Sequence, residues 1–507
     1  MADDCASTKT HTLVVTDRRT GEEKEIEVDE ETHSIRAMEF RAFKTDPSDF
    51  GLLVHDNGYR FTACCRSSVS FVDAEKGKLY YRGYPIEQLA EKSSFLEVAF
   101  LLIHGELPDG KVLGRWEEGI LRHTYLHENL VQLLDTFRYD SHPMGILISV
   151  VTALSTFYPE ANPGLRQQPG LYQENIKLRT KQIYRIIGKL PTIAAYVYLH
   201  RIGRPMCPPG HEKGYVENFL YMIDRMADEQ CTPNPLLVKV LDKLFILQAD
   251  HELNNNTATM RQIGSSLADP YCAIASAAGS LYGPQGGAPS ATLIEMLEEI
   301  GDEKNIADYL QQAKNKKKVL WGFGSPIYKK STDPRVKICK ELVAEVLSSF
   351  GERGLVKVGR RLVEEVEKDE YFVKRNIKPN INFYTALIYY SIGFPVDMYP
   401  VLFAIPRAVG WLAHWIEGIS EKGARIYRPR QIYHGPTSRS LPDHYQPLNV
   451  DHRRCVVSGL DKRIRMSMGE EEEGSNERKE KEVVDVQPLL RGASTVAANW
   501  QKSPMHG

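Results

Sequence analysis

The sequence predicts a mostly α-helical protein with a few short strands near its N-terminus. Three observations carry that prediction. From about Pro85 to about Glu417, apolar residues recur at three- and four-residue steps, with only short breakers between runs. Strand-like alternation is confined to the stretch before Pro85. The 507 residues are 42% hydrophobic and 26% charged, enough to bury the core of two large domains, or of one large and one small.

Residues 11–28 read HTLVVTDRRTGEEKEIEV, two β-prone runs flanking Asp17-Arg18-Arg19-Thr20-Gly21, and predict a hairpin. A second pair, Val69–Asp73 and Lys78–Arg82, flanks Glu75-Lys76-Gly77. Helical spacing then begins with Ile86, Leu89 and Ala90, continues through Phe95, Val98, Ala99, Leu101 and Leu102, and stops at Pro108-Asp109-Gly110. Further helical patterns cover 111–137, 143–158, 173–203, 214–227, 234–249, 270–282, 289–300, 303–315, 335–349, 354–369, 380–393 and 398–417. Between them, the Asn254–Asn256 run predicts an exposed polar turn. After Tyr433 the pattern fails. Residues 434–507 carry the runs GEEEEG and ERKEKE, and are expected to form a disordered tail.

Composition excludes several function classes. The net charge is −2 with no basic stripe, so nucleic acid is not the expected partner. No apolar run reaches the ~18 residues of a membrane span, so no membrane partner is expected. The N-terminal MADDCASTKT resembles neither a secretory signal nor a transit peptide, and the C-terminal SPMHG is not Ser-Lys-Leu; a cytoplasmic location is expected. The eight cysteines show no CxxC spacing, which favours reduced thiols over metal ligands, and no metal is expected.

The residues that could carry chemistry are few. Arg407 lies in the apolar run Val401–Trp415, where a guanidinium needs partners and carboxylates fit its fork. Arg335 follows Asp333-Pro334, and Arg428 sits in Arg425–Arg430. Any one of these can be a structural ion pair; several together with a polar cluster around His251 point to a polycarboxylate site. Asp250 and Glu252 flank His251 and could hold its tautomer. Gly283-Pro284-Gln285-Gly286-Gly287 and Gly322-Phe323-Gly324-Ser325 are glycine turns, and the latter lacks the Gly-Lys-Ser/Thr of a phosphate loop. Asn380-Ile381-Asn382 opens a helix, with Asn380 or Asn382 as its cap.

The runs SFVDAEKGKLYYRGYPIEQLAE, ADHELNNNTATMRQIGSS, GSLYGPQGGAPSATLIEML, FAIPRAVGWLAHWIE and RIYRPRQIY together resemble the citrate synthase family over roughly residues 10–433. The resemblance implies the citrate synthase fold: a large helical domain plus a smaller helical domain, after short N-terminal β-strands. It divides the chain into an N-terminal hairpin segment (1–50), a large domain (51–279 and 391–433), a small domain (280–390) that closes over the substrates, and the tail. It implies a homodimer that condenses oxaloacetate with an acyl-CoA, using no cofactor beyond these substrates. His251, Arg335, Arg407 and Arg428 stand where the family binds oxaloacetate, the last reaching across to the partner subunit.

The chemical positions depart from the family. Gln285 stands for the His of Gly-Pro-x-His-Gly-Gly-Ala, Ser325 for the His of Phe-Gly-His-Arg, and Asn382 for the Asp of Asn-Val-Asp-Phe-Tyr. Gln248 replaces a further His. Gln285 and Ser325 can donate hydrogen bonds, but Asn382 offers no base near neutral pH. A lost general base costs roughly 10²–10⁴-fold. Three readings follow: a transferase with a changed, more acidic acyl donor of the alkylcitrate or polyketide type, as in secondary metabolism; an inactive homologue that binds oxaloacetate or a citrate-like acid; or a drifting duplicate.

Overall fold

The computed structural model describes residues 11–225, 231–285, 291–352 and 354–442. Contacts divide the chain into two units, residues 1–430 and 431–507. The described part of the second unit, residues 431–442, carries no helix or strand, and the rest of the expected tail lies outside the described residues.

The first unit opens with the expected hairpins. β1 (Thr12–Asp17) pairs antiparallel with β2 (Glu22–Glu27). The turn closes because the Asp17 carboxylate accepts from the Arg19 backbone N–H at 2.9 Å while Gly21, at φ +79°, donates to the Asp17 carbonyl at 2.7 Å. β3 (Ser70–Asp73), β4 (Lys78–Tyr81) and β5 (Tyr84–Pro85) form a three-stranded sheet in that order.

Helices account for most of the remainder. The first half holds α1 (Ile86–Lys92), α2 (Phe95–His104), α3 (Gly110–Leu121), α4 (Glu128–Asp135), α5 (Pro143–Phe157), α6 (Pro163–Arg166), α7 (Leu171–Glu174), α8 (Ile176–Arg201) and α9 (Tyr215–Asp224). There follow α10 (Pro235–Gln248), α11 (Asn255–Gly264), α12 (Pro270–Tyr282), α13 (Ala291–Ile300), α14 (Ile306–Lys314), α15 (Arg335–Phe350), α16 (Gly354–Lys368), α17 (Glu370–Lys374), α18 (Ile381–Ser391) and α19 (Tyr399–Ser420). Helix α19 is the axis, buried along nearly its whole length against α2, α8, α10, α11 and α12. Helix α15 packs on α18, while α16 gathers α13, α14 and α17. No described helix is long and apolar enough to cross a membrane.

Among the sequence expectations that change, the single 111–137 pattern divides into α3 and α4. The run from Ile86 to Leu102 splits at Ser94, whose hydroxyl accepts from the Glu97 N–H while the Glu97 carboxylate accepts from the Ser94 N–H at 2.6 Å. The asparagine run is no exposed turn, because it starts α11. Asn254 caps that helix by accepting from the Thr257 N–H at 3.0 Å, and buried Asn256 accepts from the Trp411 indole N–H at 2.8 Å.

Candidate active site

The C-terminus of α10 gathers the site. The last carbonyls of a helix lack intrahelical partners and carry the negative end of its dipole. Three donors from distant segments meet them here. The Tyr81 hydroxyl lies 3.2 Å from the Ile246 carbonyl, sharing its proton with the nearer Asp250 carbonyl, while Arg335 Nη1 donates to Leu247 at 3.2 Å and Arg407 Nε to Gln248 at 2.6 Å. One helix end thus draws two buried guanidinium groups together. Helix α19 can approach closely because Gly410 faces the turn after α10: a Cβ there would lie 2.3 Å from the Ala249 carbonyl oxygen.

The turn itself is held from the sheet side. The Ser70 hydroxyl donates to Asp250 Oδ2, and the Val72 N–H donates to Glu252 Oε1 at 2.6 Å. Tyr81 also bridges the Asp250 carbonyl (2.8 Å) and N–H (3.1 Å). Glu252 sits at φ +53°, a left-handed conformation that this clamping maintains.

His251 is buried, and its Nε2 lies 3.0 Å from the Tyr328 hydroxyl. This corrects the expectation that Asp250 and Glu252 hold its tautomer. Asp250 is committed to Ser70 and to His414 Nε2 (3.2 Å), and Glu252 to the β3 backbone. Burial, reinforced by the Arg335 charge, pushes the His251 imidazole down to about 3, so it is neutral at physiological pH. Arg335 is gripped by Asp333 through Nε (2.9 Å) and Nη2 (2.6 Å). Burial opposes the Asp333 charge, but the Arg335 guanidinium outweighs it and holds that carboxyl below its usual range.

Arg407 has no carboxylate partner among the described residues. Burial lowers it to about 10, its guanidinium stacks 4.5 Å from the Phe403 ring centre, and its Nη1 is buried without a hydrogen-bond partner. The cluster of His251, Arg335 and Arg407 can therefore hold a compact anion.

Arg428 lies outside this cluster in the single chain. It is exposed and lines a cavity of about 800 Å³ together with Ser70, Glu252 and Arg261. The structure also joins the loops of two of the three departing residues. Gly324 donates to the Lys378 carbonyl at 2.8 Å, and the Asn380 amide donates to the Gly324 carbonyl at 3.1 Å. Asn380, rather than Asn382, caps α18, accepting from the N–H groups of Asn382 (3.0 Å) and Phe383 (3.3 Å). Ser325 Oγ accepts from the N–H groups of Ile327 (3.2 Å) and Tyr328 (3.1 Å), which leaves its O–H to donate elsewhere. Gln285 is exposed in the turn after α12, while Gly286 and Gly287 lie outside the described residues. Gln248 is packed away, accepting from the Tyr389 hydroxyl at 3.2 Å. No group of metal-binding side chains occurs among the described residues.

A helical scaffold that gathers two buried guanidinium groups and a neutral imidazole at one helix end is suited to holding a small anion. The family described as "Citrate synthase, C-terminal domain" matches residues 58–430. The chain is 52% identical over 427 residues to the citrate synthase of Dictyostelium discoideum, covering 84% of this chain and 82% of that protein. It is 51% identical to the peroxisomal citrate synthase of the same organism (90% and 92% covered) and 45% identical to the glyoxysomal citrate synthase of Cucurbita maxima (86% and 83%). Among solved structures it resembles citrate synthase from Pyrobaculum aerophilum, with a TM-score of 0.69 and 31% identity (77% of this chain and 94% of that one). It also resembles the Thermoplasma acidophilum enzyme in complex with carboxymethyl coenzyme A and oxaloacetate, with a TM-score of 0.68 and 26% identity (76% and 97%). The chain belongs to the citrate synthase family, a family of transferases, and has its mostly helical fold. The cytoplasmic expectation is corrected here, since relatives similar over most of this chain are peroxisomal or glyoxysomal by name.

Proposed function

We propose that the chain is a citrate synthase-type acyltransferase, joining the α-carbon of an acyl-CoA to the carbonyl carbon of oxaloacetate, after which water cleaves the thioester and releases CoA. The observation that supports this best is the orphan Arg407 Nη1, a buried donor beside a second guanidinium and a neutral imidazole. A carboxylate of oxaloacetate would satisfy it, with Arg335 and His251 taking the remaining polar groups. Arg428 would complete the site of a second copy in a homodimer. Closure of residues 280–390 would bring Gln285, Ser325 and Asn382 to the reacting atoms. The compartment we assign is the peroxisome, and the location of a tagged chain tests it.

The names of the relatives make acetyl-CoA the first donor to try. The residues argue for a donor whose α-carbon is more acidic. Gln285 and Ser325 would donate to developing oxyanions, whereas Asn382 supplies no base. A β-ketoacyl thioester needs a weaker base, and a malonyl-type thioester forms its enolate by losing CO₂. Incubation with oxaloacetate and a panel of acetyl, longer acyl, β-ketoacyl and malonyl thioesters, read as free CoA, tests the assignment. The missing base also favours a second reading, binding without turnover, which predicts oxaloacetate binding by calorimetry and CoA release from no donor. The triple variant Gln285→His, Ser325→His, Asn382→Asp is expected to raise acetyl-CoA condensation by at least ~10²-fold. No gain would show that the scaffold itself has lost the reaction.

A further inference from the structure

We propose that Cys64 and Cys65 form a peroxide-reactive vicinal thiol site in the wall of the cavity that Arg428 lines. They are the only adjacent cysteines in the sequence. Both line the 800 Å³ cavity, on a stretch (62–68) with neither helix nor strand. In the single chain Cys64 is exposed and Cys65 half-buried, so an oxidant can reach the first while the second stands beside it.

The surroundings favour a thiolate at Cys64. The Cys65 side chain beside it and the Arg261 charge bring Cys64 down to about 6, while Cys65 is pushed the other way. Arg261 is buried; its Nη1 pairs with Glu417 at 3.0 Å, its Nη2 lies 3.8 Å from the Glu421 carboxylate, and its Nε has no hydrogen-bond partner. Glu417 disfavours ionisation of Cys65, and Glu252, His414, Tyr427 and Arg428 complete the polar wall. The other described cysteines lack this combination: Cys207 and Cys339 are buried, and Cys231 and Cys272 stand alone.

The chemistry balances with a hydroperoxide as oxidant. The Cys64 thiolate attacks the O–O bond, forming an S–O bond and expelling hydroxide or alkoxide, which leaves a sulfenic acid. The Cys65 sulfur then attacks Cys64, forming the S–S bond; its proton and the sulfenic hydroxyl leave as water. Two thiols are oxidised and one peroxide is reduced. Ser70 and Glu252 belong both to this cavity and to the clamp on the His251 turn.

The test uses the full chain and limiting hydrogen peroxide, with acid quenching and trypsin digestion. Cleavage after Arg60 and Arg66 places both thiols on one peptide, FTACCR. The expected product is that peptide short of two hydrogens, formed at least ~10-fold faster than in the urea-unfolded chain. Cys64→Ser is expected to abolish the reaction, whereas Cys65→Ser is expected to leave a sulfenic acid at Cys64 that dimedone traps. Phenylarsine oxide, which bridges adjacent thiols, is expected to bind the unmodified protein and neither variant. Earlier oxidation of another cysteine, or an unfolded-chain rate at Cys64, would overturn the proposal. These readouts need no turnover, so they stand apart from the test of the acyltransferase reading.

Discussion

Replacing Arg407 with Met separates a ligand-binding arginine from a structural one. The wild-type guanidinium is 2% exposed, and burial brings it from 12.5 to about 10. That corresponds to about 3 kcal/mol against the charged form in the empty protein. On the other side stand one charge-assisted hydrogen bond to the Gln248 carbonyl, worth about 1.5–3 kcal/mol, and stacking on Phe403, worth about 1–2 kcal/mol. These nearly cancel, and Met keeps most of the apolar stem. The ligand-free Arg407→Met protein should therefore lie within about 1.5 kcal/mol of wild type.

Binding should respond very differently. Losing a buried guanidinium opposite a carboxylate costs about 3 kcal/mol or more, which is roughly 100-fold or more in affinity. With oxaloacetate at ~100 times the wild-type Kd, ligand should stabilise wild type by about 2.7 kcal/mol and the variant by about 0.4 kcal/mol. Denaturant unfolding with and without oxaloacetate reads both numbers, and calorimetry reads the affinity directly. A variant destabilised by more than about 3 kcal/mol yet binding oxaloacetate within threefold of wild type would refute the reasoning. Arg407 would then be a structural cation, and its orphan Nη1 no guide to a ligand.

Other consequences follow from the same interior. Burial pushes Asp242 up to about 6 from 3.8, so its contribution to stability is complete below about pH 4 and is lost as pH rises through 6. Asp242→Asn should then stabilise the protein by about 2–3 kcal/mol at pH 7.5 and by nothing at pH 4, measured by urea unfolding. His251 has the opposite sign, because its depressed value contributes stability that is present above about 6.5 and lost as pH falls toward 3. Its imidazole NMR signals should not titrate between pH 8 and 5. Gly410→Ala drives a Cβ into the Ala249 carbonyl and should cost about 3 kcal/mol, with loss of oxaloacetate binding, since the same contact seats Arg407.

Much of the fold was legible because helical spacing is local. The 270–282 pattern coincides with α12, and 335–349 falls one residue short of α15. The misses arise where a side chain's partner is far away in sequence. Asn256 looked unfit for a helix because Trp411, which satisfies its amide, lies 155 residues on. Arg407 could be singled out as a charge in an apolar run, but nothing local showed that it would share one helix end with Arg335. Tyr328 and Tyr81 escaped notice for the same reason. Their hydroxyls matter through contacts to His251 and Asp250 across 77 and 169 residues, although Tyr328 lies only three residues beyond Ser325.

The two halves of the site are built from different material, and this bears on how the chemistry could change without the fold. His251, Arg335 and Arg407 are tied into the core, each by bonds whose loss strands a buried polar group. Gln285 is exposed in a turn, Ser325 is half-buried in a loop, and the cap of α18 is Asn380 rather than Asn382. None of the three caps a helix or is fully buried, and at Ser325 the bonds at stake are local ones, from the N–H groups of Ile327 and Tyr328. Selection or drift can therefore alter these three side chains while the buried cluster of His251, Arg335 and Arg407 persists. The denaturant midpoint of the triple reversion reads what those bonds contribute, and a gain in CoA release at an unchanged midpoint would report restored chemistry rather than restored structure.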